Sequence, residues 1–166
     1  MNNNNLPIII DIEASGIGAG SYPIEIGLAL ERGKTQCFLI KPEPGWDHWE
    51  PEGETLHGIS RETLINHGRP AREVGNLLND LLFGKTVYSD GWTYDQTWLH
   101  TLFKTIKLTP LFRIETLTRL LDETQLYEWD KMKINLIEEF GFQRHRATND
   151  AILLQQTYAA VNSSNG

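Results

Sequence analysis

The chain has 166 residues, 40% of them hydrophobic and 22% charged, with 15 Lys and Arg against 22 Asp and Glu for a formal charge of −7. That length is one domain's worth and can bury a core without covalent staples, while the composition excludes a disordered or collagen-like chain. The negative balance also excludes a protein that grips nucleic acid mainly through a broad basic face, so a polyanionic ligand would need local help such as bound metal.

Residues 1–5 form a polar tract that reads as a loose terminus, and 1–10 lack the basic start and apolar stretch of a secretory signal. Leu6–Glu13 reads as a central strand, with Ile8, Ile10 and Ile12 on one face and Ile9, Asp11 and Glu13 on the other. Strands are predicted over Ile24–Leu30 and Thr35–Ile40, joined through Arg32-Gly33-Lys34 as an antiparallel hairpin. The lone cysteine, Cys37, excludes an internal disulfide and reads as a small buried hydrophobe in a reducing compartment. Lys41–Glu54 holds three prolines and reads as a loop.

Helical spacing then takes over. Ser60 is a candidate N-cap with Glu62 in the first turn, and Ala71–Phe83 carries Val74, Leu77, Leu78, Leu81 and Leu82 as an apolar stripe ended by Gly84. A short strand at Thr86–Ser89, a helix at Trp92–Ile106, a strand at Leu111–Ile114 and helices at Ile134–Phe140 and Ala147–Val161 follow. Three strands followed by alternating helices and strands predict an α/β domain over 6–161 with a mixed sheet, and 162–166 reads as a loose tail. No stretch approaches the ~20 apolar residues that span a bilayer, so the expectation is a soluble cytoplasmic protein with no membrane partner.

Asp11 and Glu13 put two carboxylates about 7 Å apart on one strand face, where they repel and lose water. A divalent cation with a taste for hard oxygen ligands, Mg²⁺ or Mn²⁺, would compensate them; a strand end running into solvent would explain the pair equally well. Asp95 shares a helical face with Trp98, Leu99, Leu102 and Ile106, and Asp150 with Leu153, Leu154, Thr157 and Val161. Each acid thus sits in the first turn of a helix whose apolar side must pack inward, eased by the helix dipole or by a charged site. His145, on the preceding loop, could take a proton from a metal-held water, although a lone loop histidine is more often a solvated one.

The set Asp11-Ile12-Glu13-Ala14-Ser15-Gly16, then Tyr94-Asp95, then His145-Arg146-Ala147-Thr148-Asn149-Asp150 resembles the DEDDh 3′-to-5′ exonucleases, the DnaQ-like and RNase T-like group. The resemblance spans about Leu6 to Val161 and implies an RNase H-like exonuclease fold with a five-stranded mixed sheet flanked by helices. It implies two divalent ions, Mg²⁺ or Mn²⁺, on Asp11, Glu13, Asp95 and Asp150, with His145 as general base and 3′ ends of single-stranded DNA or RNA as substrate. His57-Gly58-Ile59 is similar to the segment beside the terminal nucleotide, and the backbone near Ser15 and Gly16 would meet its 3′-hydroxyl. Asp90 departs from the Asn common there, and Trp92 replaces a smaller residue. Two divalent ions would bring the formal charge from −7 to −3.

Stacking of a base on Trp92 and its packing in the core are equal readings, Tyr94 reads as core, and Trp46 and Trp49 carry only a conceivable substrate contact. Glycines at 16, 18 and 20 fail the dinucleotide spacing, and Gly84-Lys85-Thr86 fails the P-loop spacing. Two other readings stay open: a catalytically weak nucleic-acid-binding or polymerase-binding module, working with a polymerase partner or as a homodimer, and a small phosphodiester or nucleotide hydrolase.

Overall fold

The computed structural model describes residues 6–163. Its strands are β1 (Ile8–Ala14), β2 (Pro23–Ala29), β3 (Thr35–Leu39), β4 (Thr86–Ser89) and β5 (Arg113–Thr116). Its helices are α1 (Pro51–His57), α2 (Arg61–His67), α3 (Ala71–Leu82), α4 (Trp92–Ile106), α5 (Glu123–Phe140) and α6 (Ala147–Ser163). The sheet order is β3-β2-β1-β4-β5, with β1–β2 and β2–β3 antiparallel and β1–β4 and β4–β5 parallel. The predicted five-stranded mixed sheet flanked by helices is therefore present, with β1 at its centre.

Alternation along β1 divides the core. Ile8, Ile10 and Ile12 join the large cluster with Val74, Leu78 and Leu102 from α3 and α4, whereas Ile9 packs on the other face with Ala151 and Leu154 of α6. Each fully buried aliphatic side chain contributes roughly 1.5–3 kcal/mol, so burial on both faces fixes β1 firmly in the fold. Ser60 caps α2 as expected, its hydroxyl accepting from the Thr63 amide at 3.1 Å.

Several boundaries differ from the sequence reading. The proline-rich stretch hides α1, because Pro51 stands in the first turn, where its missing N–H costs nothing, and Gly58 closes the helix at φ 69°. The last long connection is also helical well before Ile134: α5 begins at Glu123 behind a capping box in which Asp122 and Gln125 exchange side-chain-to-backbone hydrogen bonds of 2.8 and 2.9 Å. β5 starts two residues late because the Leu111 amide donates to Asn79 and its carbonyl accepts from Gly84, taking both groups out of the sheet. At the other end α6 continues through Asn162, whose side chain accepts from Gln125 at 3.0 Å, so the predicted loose tail begins within this helix. Residues 1–5 and 164–166 lie outside the described residues.

Two side-chain expectations are corrected, and Trp46, which carried none, is placed. Cys37 is exposed on the edge strand β3, its thiol turned toward Glu25 Oε1 at 3.4 Å. Tyr94 is half exposed and stacks on Trp98, with ring centroids 5.7 Å apart. Trp46 is buried against Tyr22 at 4.9 Å and holds the core. Among the described residues no helix is long and apolar enough to cross a membrane.

Candidate active site

The site lies where β1 ends beneath the start of α6. On β2, Glu25 faces Glu13 across the ladder, and Gly27 lies two residues further along the same face. A Cβ at Gly27 would run into the backbone of Ala147 and Thr148, so the first turn of α6 rests directly on the β2 main chain. Glu25 completes the seat. Its fully buried carboxylate accepts from the Arg146 guanidinium, as close as 2.7 Å, and from the Ala147 amide at 2.9 Å. Those bonds hold the Glu25 pKa below the ordinary carboxylate range against the opposing effect of burial.

This anchoring shapes the loop before α6. His145 takes a left-handed conformation, φ 62°, and its amide donates to Asp150 Oδ2 at 2.7 Å. Arg144 Nε donates to the other oxygen of Asp150. The outcome is that Glu13, His145 and Asp150 each offer a ligand atom within 4.8 Å of the others. With Asp11, Asp90, Lys133 and Arg144 they line a cleft of about 140 Å³. Two roomier hollows, about 420 and 330 Å³, flank β5 away from these acids and lack their concentration of charge.

Asp95 is placed differently. It is 3% exposed behind the cleft, accepting from the Ser89 hydroxyl. Burial raises its pKa to about 7, with Asp90 adding to the effect and the Ser89 hydroxyl and the Ile12 backbone opposing it. Burial likewise raises Glu13 to about 7, with further pressure from Asp150, Glu25 and Asp95 and partial relief from Arg144. Asp11 is pushed well above its ordinary range by burial and then by Asp95, Asp150, Glu13 and Asp90. Such acids hold protons or attract a cation near neutral pH. The donor set of the cleft fits a divalent metal: the carboxylates of Glu13 and Asp150 suit a hard cation such as Mg²⁺ or Mn²⁺, and the His145 imidazole beside them also suits Zn²⁺.

The residues expected at the substrate terminus do not line this cleft. Ser15 is buried and internally satisfied: its amide donates to Tyr22 at 3.0 Å, its carbonyl accepts from Glu50 at 2.8 Å, and its hydroxyl bonds His48 Nδ1 at 3.0 Å. The Glu50 carboxylate covers Gly16 and accepts from the Ile17 amide at 3.1 Å. Ile59 is a core residue, and its amide donates to His57 Nδ1 at 3.1 Å. His57 itself is buried, which lowers its pKa, and its Nε2 has no hydrogen-bond partner among the described residues. Trp92 is tied to β5 through its ring N–H, which donates to the Ile114 carbonyl at 3.2 Å.

Sequence reasoning passed over Glu25, Arg146, Arg144 and Lys133. Glu25 had a signal, since an acid inside Pro-Ile-Glu-Ile-Gly-Leu-Ala must find a buried partner. Lys133 had none.

No protein-family model matches the chain, and no curated protein matches it in sequence. Its fold is similar to solved structures of exonuclease I. The E. coli enzyme in complex with a dA16 oligonucleotide superposes with a TM-score of 0.72 at 13% identity, covering 95% of this chain and 40% of that one. The zinc-bound form of the E. coli exonuclease I–ssDNA complex gives 0.74 at 13% over 96% of this chain and 41% of that one. Exonuclease I from Methylocaldum szegediense gives 0.71 at 12% over 95% and 40%. The chain thus spans about two fifths of the length of these proteins. The likeness is one of fold, the RNase H-like fold of exonuclease I.

Proposed function

We propose that this chain is a metal-dependent 3′-to-5′ exonuclease of the DEDDh type, which shortens single-stranded or short nucleic acid from its 3′ end and releases nucleoside 5′-monophosphates. The observation that carries this reading is the convergence of Glu13, His145 and Asp150 on one small cleft that Asp11 also lines, with Asp95 buried behind it. The fold shared with exonuclease I, whose solved complexes contain single-stranded oligonucleotides, supports the substrate class.

In this mechanism Asp11, Glu13, Asp95 and Asp150 would hold the divalent ions, which when bound would supply a lowered pKa for the attacking water and charge stabilisation for the leaving 3′-oxygen. His145 accepts the proton of that water, from a loop that Arg146 and Glu25 keep in register with α6. The Ser89 hydroxyl orients Asp95.

The test is digestion of 5′-labelled RNA and DNA single strands with Mg²⁺, with Mn²⁺ and with EDTA, beside Asp11→Ala. A ladder receding from the 3′ end and abolished by EDTA and by the substitution is expected. An intact strand in every lane would overturn the reading, and hydrolysis of a mononucleotide ester alone would replace it with a small-phosphate hydrolase. His145→Ala is expected to lose roughly 10²- to 10⁴-fold in kcat while still binding metal, and Asp150→Ala to lose both.

A further inference from the structure

Among the residues that line the cleft, Lys133 alone comes from α5. It lies outside every motif discussed above. Its ammonium meets Asp90 Oδ2 at 2.9 Å, and its side chain is 18% exposed against 38% for Asp90. The cation is therefore the inner partner, and the anion is the one that water can receive. Asp90 in turn is near enough to Asp11 and Asp95 to raise the pKa of both. A positive charge thus stands beside the metal-binding carboxylates of a chain whose net charge is −7.

We propose that Lys133 is a phosphate-binding residue of this cleft, held by Asp90 until a backbone phosphate of the substrate strand takes that carboxylate's place. The proposal rests on the nuclease reading. Lysine suits the role, because an ammonium is a compact point charge with three donors and can exchange one oxygen anion for another without a fixed planar fork. The exchange is easy because a partly solvated ion pair contributes little. Arg144, the other cation in the cleft, is already engaged by Asp150. The alternative is that Lys133 only ties α5 to the loop before α4.

Binding of a short 5′-fluorescein-labelled oligothymidylate by the full chain, read by anisotropy in EDTA across a potassium chloride series, separates the two. One lost phosphate contact on a single strand lowers the slope of log affinity against log salt by about 0.7. Lys133→Gln should show that drop, so that a tenfold rise in salt weakens it about fivefold less than wild type. Lys133→Arg should restore the slope, and Asp90→Asn should keep it while tightening binding. An unchanged slope in Lys133→Gln, with wild type binding normally, overturns the proposal and leaves the nuclease reading standing. A wild-type chain that binds no oligonucleotide overturns both. A lowered melting temperature with an unaltered slope identifies a structural tether and equally overturns it.

Discussion

Glu25 and Arg146 show how a single buried charge organises the site. The Glu25 side chain is 1% exposed, so Arg146→Ala would strand an anion beside one remaining strong donor, the Ala147 amide. Removing one partner of such a pair costs about 3 kcal/mol. A urea midpoint close to wild type would mean that solvent reaches Glu25. Asp150 presents the opposite case, since Arg144 engages one oxygen and the His145 amide the other. A cation binding there competes with Arg144. Because partly exposed ion pairs contribute about 0–1 kcal/mol, Arg144→Gln is expected to tighten Mn²⁺ binding by up to about fivefold in calorimetric titration. Weaker binding would show that Arg144 supports the metal site instead.

At the scale of elements, the contact of α6 with β2 is the joint on which the geometry depends. Gly27 is the only side-chain-free position that allows it among Glu25, Gly27 and Ala29, which share that face. Gly27→Ala should lift the start of α6 and cost about 1–3 kcal/mol, as overpacking does. Loss of activity should exceed what the remaining folded fraction explains, because His145 and Asp150 ride on that turn. Wild-type activity together with wild-type stability would show that the joint yields. Periodicity exposed α3, α4 and most of α6, whose apolar stripes face the core directly. The first half of α5, ahead of the predicted Ile134–Phe140, escaped notice because its exposed Tyr127 blurs the stripe and its start is marked by hydrogen bonds of Asp122 and Gln125. α1 was concealed by proline, a residue that breaks a helix interior and suits its first turn.

For the whole molecule, the buried acids set the pH dependence of stability. Asp11, Glu13 and Asp95 have raised pKa values when folded, so the native chain binds more protons than the unfolded one between about pH 4 and 7. Unfolding free energy from this group therefore falls as pH rises through that window. Glu25 works in the other direction: its lowered pKa contributes stability above the ordinary glutamate value, which is lost as pH falls through the folded value. Metal-free protein should accordingly melt at lower temperature at about pH 8 than at about pH 5.5, and saturating Mn²⁺ or Mg²⁺ should remove the difference. A melting temperature that is flat or rising without metal would show that these acids do not titrate together.

The order of strands and helices, the placement of Asp95 and Asp150 in the first turns of inward-packing helices, and the two-faced burial of β1 all follow from local rules of period and propensity. Those rules act along a few neighbouring residues and are written in every window of the chain. Chain folding decided the remainder. The approach of α6 to Gly27, the Glu25–Arg146 seat, the retreat of Asp95 behind the cleft and the arrival of Lys133 join residues that lie far apart in sequence. Burial and distance, which set both the pKa values and the meeting of His145 with Glu13 and Asp150, exist only once those segments have packed together.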